Sequence, residues 1–253
     1  MRLGLLSYIN SLPLTYGLES GAVAVPGQVL TAEPSRLNAL ALAGELDVTA
    51  VSSVEYVRLQ RGYALLEPFC LKSLGPVQSV RLYSLIPLEE LAGASIGVTS
   101  ASATSRSLLQ VLQPEVRLFT LHEEPVLSAE MPAALLIGDR ALRELSGARF
   151  VYDLGEEWHR QTSLPMVWAL YLVRRGFPEV EKAARAFRAS REWGLEHRRE
   201  VLKVAAERTG LGSERLEAYF AVLDYELDDA SRQGLAEFHR RCQALGLFER
   251  ATV

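Results

Sequence analysis

The sequence predicts an α/β fold of two lobes, built on mixed, mainly parallel sheets. A strand followed by a small polar turn and a helix occurs four times, with strands at 2–8, 46–51, 95–100 and 133–138. That rhythm is the signature of parallel strands joined by crossover helices. Two β-rich stretches interrupt it, "VQSVRLYS" at 77–84 and "MVWALYLVRR" at 166–175. Neither opens a strand–turn–helix unit, so both are expected to be hinge strands between lobes. The expected division is residues 1–84 with 172–253 as the first lobe and 85–171 as the second, with a substrate cleft between them.

Each element follows from local pattern. "RLGLLSY" is apolar on both faces, as in a buried parallel strand. Pro13 forces Leu12 to be extended and opens a short helix that Gly17 weakens. "EPSRLNALALAGELD" puts Leu37, Leu40 and Ala41 at helical spacing, with Gly44 as the stop. "LDVTAV" is a strand, Ser52 and Ser53 its turn, and "VEYVRLQ" the next helix. "SIGVTS" leads through "ASATS" into "RSLLQVLQ", where Leu108, Leu109 and Leu112 share a face. "AALLIG" leads through Asp139 into the helix "RALREL". From 178 to the end the Ala/Leu/Arg/Glu-rich spacing predicts helix throughout, over 178–208 and 213–246.

Composition removes several functions. The 253 residues are 49% hydrophobic and 23% charged, with a formal net charge of −4. A mildly acidic chain has no field that would attract nucleic acid, so no nucleic-acid partner is expected. No apolar run is long enough to span a membrane, and the N-terminus lacks a signal-peptide core. The expected location is therefore cytoplasmic. Cys70 and Cys242 lie far apart without metal-type spacing, and none of His122, His159, His197 and His239 has ligand spacing to another donor, so no metal is expected. There is no nucleophile elbow, P-loop or dinucleotide fingerprint.

In open α/β sheets, ligands lie at the carboxyl ends of the strands. The residues there are Asn10 and Ser11, Ser52 and Ser53, the run from Ser100 through Ser102 and Thr104 to Ser105, and Gly138 with Asp139. Hydroxyls beside helix N-termini make a receptor for carboxylates without a basic patch. Capping explains many of them equally well: Ser52 with Glu55 forms a capping box, Ser11, Ser102, Thr104 or Ser105 can cap, and Asp139 can cap its own helix. Both readings stay open at each junction. Asn10 is distinctive, because an amide can donate and accept. Residues alone reach a two-lobed receptor for a small carboxylated molecule.

Several segments go further. "YINSLPL", "GELDVTAVSSVEY", "GPVQSVRLYS", "TSASATSRSLL", "LLIGDRAL" and "YDLGEEWHRQTSLPMVWALYLVRR", in this order over nearly the whole chain, resemble the chorismate dehydratase family of the futalosine route to menaquinone. The resemblance implies a type 2 periplasmic-binding-protein-like fold. It implies a cofactor-independent hydro-lyase that converts chorismate to 3-[(1-carboxyvinyl)oxy]benzoate. A sister enzyme, 1,4-dihydroxy-6-naphthoate synthase, carries a Cys-Pro-Asn-Asp type motif after its first strand, whereas "SYINSLPL" is of the dehydratase type. Ser163 stands where the family pattern leads one to expect glycine. The expected site is Asn10 as the catalytic amide, with Ser11, Ser52, Ser53, Ser79, Ser100, Ser102, Thr104, Ser105, Gly138 and Asp139 binding substrate. A monomer or homodimer is expected. The competing readings are a synthase-like enzyme and a non-catalytic binder of a small carboxylate.

Overall fold

The protein is described from a computed structural model, over residues 1–25, 27–101 and 103–248. The chain divides into two compact units, Met1–Lys72 with Ala169–Leu227, and Ser73–Trp168 with Asp228–Val253.

The first unit is built on a six-stranded sheet. Its strands are β1 (Arg2–Leu6), β2 (Gln28–Ala32), β3 (Val48–Ser52), β4 (Tyr63–Ser73), β10 (Met166–Arg174) and β11 (Leu223–Glu226), in the order β11-β4-β10-β3-β1-β2. β1 runs parallel to β2 and to β3, and β10 runs antiparallel to β3. Around it lie α1 (Leu12–Glu19), α2 (Pro34–Leu42), the single turn α3 (Tyr56–Leu59), α6 (Val180–Glu196), α7 (Arg198–Thr209) and α8 (Ser213–Ala221). Neighbouring residues Leu5 and Leu6, Ala50 and Val51, and Leu170 and Tyr171 are buried, as two-faced strands require. Gly17 and Gly194 let α1 and α6 approach closely. A Cβ at Gly194 would stand 2.3 Å from the Pro13 carbonyl oxygen, and one at Gly17 would stand 3.0 Å from Ser190 Oγ. The glycine that weakens α1 in isolation is therefore what its packing needs.

The second unit holds a five-stranded sheet of β5 (Val80–Ser84), β6 (Ser95–Thr99), β7 (Arg117–Leu121), β8 (Ala133–Ile137) and β9 (Phe150–Asp153), in the order β7-β6-β8-β5-β9. β6 is parallel to β7 and β8, while β5 is antiparallel to β8 and β9. Its helices are α4 (Ala103–Leu112), α5 (Leu154–Thr162) and α9 (Asp229–Ala244). Phe238 of α9 sits edge-on to Trp158 of α5, with ring centroids 6.1 Å apart, and both side chains are fully buried.

The mixed α/β fold is the expected one, but three placements differ. The stretch 77–84, expected as a hinge strand of the first lobe, contributes β5 to the inside of the second sheet. The chain crosses between units within β4, after Lys72, and returns within β10, after Trp168. The C-terminal segment is not helical throughout, because β11 interrupts it, and α9 belongs to the second unit rather than the first. "RALREL" forms no helix beyond a 3-10 turn at Gly138–Arg140. The Tyr83 hydroxyl lies 2.9 Å from the Ala141 carbonyl oxygen and 2.7 Å from that of Arg143, and so engages acceptors a continuing helix would have used.

Candidate active site

The expected residues gather at strand ends within each unit. In the first, β1 and β3 are adjacent and parallel, so their carboxyl ends bring Asn10 and Ser11 to the same sheet edge as Ser52 and Ser53. In the second, β6 and β8 end side by side where antiparallel β5 begins. This collects Ser79, Thr99, Ser100, Thr104, Ser105, Gly138 and Asp139, with Gly138 N–H donating to the Ser79 carbonyl at 2.8 Å. Ser102 lies outside the described residues.

The turn after β1 is a 3-10 turn, Ile9–Ser11, leading directly into α1. Ser11 is fully buried and does not cap. Its hydroxyl turns back to the carbonyls of Leu6, at 3.1 Å, and Tyr8, at 3.0 Å, while its own carbonyl accepts from Thr15 Oγ1. Ser11 therefore fastens the turn. Asn10 is left as the polar side chain of the junction. Its Oδ1 is buried and has no hydrogen-bond partner in the protein. A buried acceptor without a donor costs about 1–3 kcal/mol, which a ligand hydroxyl or amine would recover.

The capping box expected at Ser52 and Glu55 is absent. Ser52 makes no cap bond, because Asn38 of α2 takes both its polar groups: Nδ2 donates to Ser52 Oγ at 3.1 Å, and the Ser52 N–H donates to Asn38 Oδ1 at 2.9 Å. Glu55 is buried and pairs with Arg58 at 3.3 Å. Burial pushes its pKa up, and the Arg58 charge offsets part of the rise. Asn38 thus holds the end of β3. The sequence signal for it was an amide on the otherwise apolar face of a helix.

In the second unit, Thr104 and Ser105 are buried in the first turn of α4, and Ser100 is exposed. Thr99, at the last position of β6, carries a buried Oγ1 with no protein partner. It opens the hydroxyl-rich run and belongs with the candidate residues. Asp139 is half-buried on its 3-10 turn and caps no helix. Ser79 is buried, and its hydroxyl faces the Val77 carbonyl at 3.5 Å.

Asp153 holds the Ser79 segment. Its carboxylate accepts from the N–H groups of Val77, Gln78, Gly155 and Glu156, fastening residues 77–78 to the start of α5. Burial pushes its pKa above the ordinary value, against the pull of those N–H groups. A Cβ at Gly155 would lie 2.5 Å from the Gly75 carbonyl oxygen, so only glycine admits this approach. Trp168 Nε1 donates to Ser73 Oγ at 3.1 Å, and Ser73 in turn donates to the Gly75 carbonyl. Asp153 was missed in the sequence, where the available signal for it is an aspartate placed just before a helix in "YDLG".

Among the described residues no cluster of three or more His, Cys, Asp or Glu side chains could hold a metal, and no helix is long and apolar enough to cross a membrane. Cys70 and Cys242 are buried and are not joined by a disulfide. His197 stacks on Trp193, with centroids 4.2 Å apart, and His159 keeps a buried Nδ1 without a protein partner.

Comparison with known proteins identifies the lineage. The chain is 34% identical to the chorismate dehydratase of Thermus thermophilus, over 97% of this chain and 95% of that one. It is 26% identical to the 1,4-dihydroxy-6-naphtoate synthase of the same organism, over 98% and 95%. A crystal structure of an Archaeoglobus fulgidus protein shares the fold with a TM-score of 0.79 at 22% identity, covering 97% of each chain. The periplasmic aliphatic sulphonate binding protein of Escherichia coli shares it with a TM-score of 0.61 at 13% identity, covering 98% of this chain and 91% of that one. The fold is therefore that of the periplasmic binding proteins. The family described as Menaquinone biosynthesis matches residues 1–244, and the chain belongs to it.

Proposed function

We propose that this protein is a chorismate dehydratase, removing water from chorismate to give 3-[(1-carboxyvinyl)oxy]benzoate. The observation that carries the reading is Asn10: an amide at the end of β1, with a buried Oδ1 that no protein donor satisfies. It sits in the "SYINSLPL" stretch, which is of the dehydratase rather than the synthase type. The greater identity to the dehydratase than to the synthase, 34% against 26%, points the same way.

Chorismate carries two carboxylates and a ring hydroxyl. Strand-end hydroxyls and N–H groups are receptive to such anions, and they occur in two sets. Ser53 accompanies Asn10 in the first unit. Ser79, Thr99, Ser100, Thr104, Ser105, Gly138 and Asp139 form the second set. Ser11 and Ser52 support the first set from behind, since their polar groups are engaged within the protein.

Loss of the C4 hydroxyl and the C3 hydrogen makes the ring aromatic, so the driving force lies in the substrate. What the protein supplies is a fixed conformer and a dry setting. The substrate's own enolpyruvyl carboxylate takes the C3 proton. Asn10 Oδ1 accepts from the C4 hydroxyl and orients it for departure with that proton as water. The reaction as proposed draws on no cofactor.

Purified protein incubated with chorismate is expected to yield a product lighter by one water, with an aromatic ultraviolet spectrum. Asn10→Ala is expected to lower kcat by roughly 10²-fold, the scale of one lost transition-state hydrogen-bonding group. Saturable binding without turnover would make the protein a carboxylate receptor, and turnover of the cyclic futalosine derivative instead would make it a synthase. Abolition of turnover by Asp139→Asn in a folded protein would assign the proton to a protein base.

A further inference from the structure

We propose that Tyr225 is a positioning residue for Asn10, its hydroxyl fixing the peptide that aims the Asn10 amide at the substrate. This rests on the reading that Asn10 touches chorismate. The Asn10 Oδ1 has no donor within the protein, so the direction of that oxygen is set through the backbone that carries it. That backbone is one 3-10 turn. Ser11 fastens the turn to Leu6 and Tyr8, and the Pro13–Gly194 approach fixes the start of α1. The carbonyl of Asn10 itself is held from 215 residues away, by the Tyr225 hydroxyl at 2.8 Å.

Tyr225 is in turn held in register. β11 alternates Leu223 and Tyr225 inward with Asp224 and Glu226 outward. Asp224 pairs with the buried Lys72 at 3.3 Å and Glu226 with Arg191 at 3.5 Å. Asp224 Oδ1 also accepts the N–H groups of Tyr225 and Glu226. A slip of one residue would turn the phenol outward and bury two carboxylates, so the register is strongly specified. Burial, then the neighbouring Tyr219, Tyr171 and Asp224, raise the pKa of Tyr225 well above 10, and Arg191 only partly opposes this; the hydroxyl stays a donor at any working pH. The competing explanation is that a buried tyrosine merely found an acceptor. Tyr171 argues against it. It lies near enough to influence Tyr225, is fully buried, and keeps its hydroxyl without a protein partner. In this core a buried phenol does not have to be satisfied, yet Tyr225 is joined to the one residue whose amide is left for substrate.

The test is a double-mutant cycle. Tyr225→Phe is expected to lower kcat about tenfold, with KM for chorismate nearly unchanged. In an Asn10→Ala background the same substitution is expected to have no further effect. 4-Aminophenylalanine at position 225, which restores an N–H donor, is expected to recover most of the lost rate. The inference is overturned if Tyr225→Phe keeps the wild-type kcat, or if the two losses multiply. It falls together with its premise if the wild type does not turn over chorismate or if Asn10→Ala keeps full kcat, results that are distinct from a silent Tyr225→Phe beside a damaged Asn10→Ala. Should Tyr225→Phe fail to fold, ring-fluorinated tyrosines at 225 vary donor strength while keeping the shape, and a kcat indifferent to fluorination overturns the inference.

Discussion

Ser163 ends α5 in the left-handed conformation, with φ of 58°, and its N–H donates to the His159 carbonyl. Glycine adopts this geometry without steric cost, whereas an L side chain loses about 1–2 kcal/mol. Ser163 is exposed, so little offsets that loss. Ser163→Gly is expected to stabilise the protein by about 1 kcal/mol, read as a higher urea midpoint with unchanged m-value. Gln78, also at positive φ, is a different case, because Asp153 takes its N–H. At this scale the sequence singled out Asn10 as an amide at a strand end, and its Oδ1 is buried without a protein partner. The sequence was illegible for serines, since a hydroxyl at a strand end can cap, bind or fasten with equal ease. Ser11 fastens its own turn and Ser52 is claimed by Asn38 from a helix 14 residues earlier. No local pattern encodes that choice.

The elements with strong periodicity were readable: β1, β3, β6, β8 and β10, and helices α1, α2, α4 and α6. The strands that pattern reading passed over are β2, β4, β7, β9 and β11. β7 and β9 have half-exposed, irregular burial, and β11 is four residues set between two helical sequences. Their pairing is set by the sheets they join and not by their own sequences. One charged knot shows how non-local the ties are. Asp47, just before β3, accepts from the Arg2 backbone N–H at 2.8 Å and from the Arg174 guanidinium at 2.7 Å, joining the start of β1 to the end of β10. Burial alone would raise its pKa, but the bonds from Arg174 and Arg2 outweigh it and hold the carboxyl below its ordinary 3.8. A lowered pKa contributes stability that is present above the ordinary value and lost as pH falls through the folded one. Asp47→Asn is therefore expected to lower the melting temperature at pH 7, by a change of about 1 kcal/mol given the half-exposed arginines. The wild-type melting temperature is expected to fall below pH 4, and the variant is expected to flatten that fall.

At the scale of the molecule, two units were legible from the two β-rich stretches that interrupt the four repeated junctions, but the boundaries were not. Burial of β5 on both faces, and of Phe238 against Trp158, decides which unit claims each segment, and such burial is a property of the packed partners. α9 shows the point. It packs where Gly234 has no side chain, and a Cβ there would lie 2.1 Å from the Pro165 carbonyl oxygen. Helix propensity alone would make Gly234→Ala favourable by about 1 kcal/mol. The backbone clash reverses the sign, and the substitution is expected to destabilise by about 1–3 kcal/mol in urea unfolding. The division of the chain also governs its birth. The first unit needs residues up to Leu227, and the second, begun at Ser73, waits for α9. On the ribosome, at roughly 5–20 residues per second, the Asn10 turn is among the first segments to emerge and among the last to be locked, because the strand carrying Tyr225 follows it by more than 200 residues. A nascent chain arrested before β11 would carry every strand-end serine and the Asn10 amide, and still lack the hydroxyl that holds the Asn10 carbonyl.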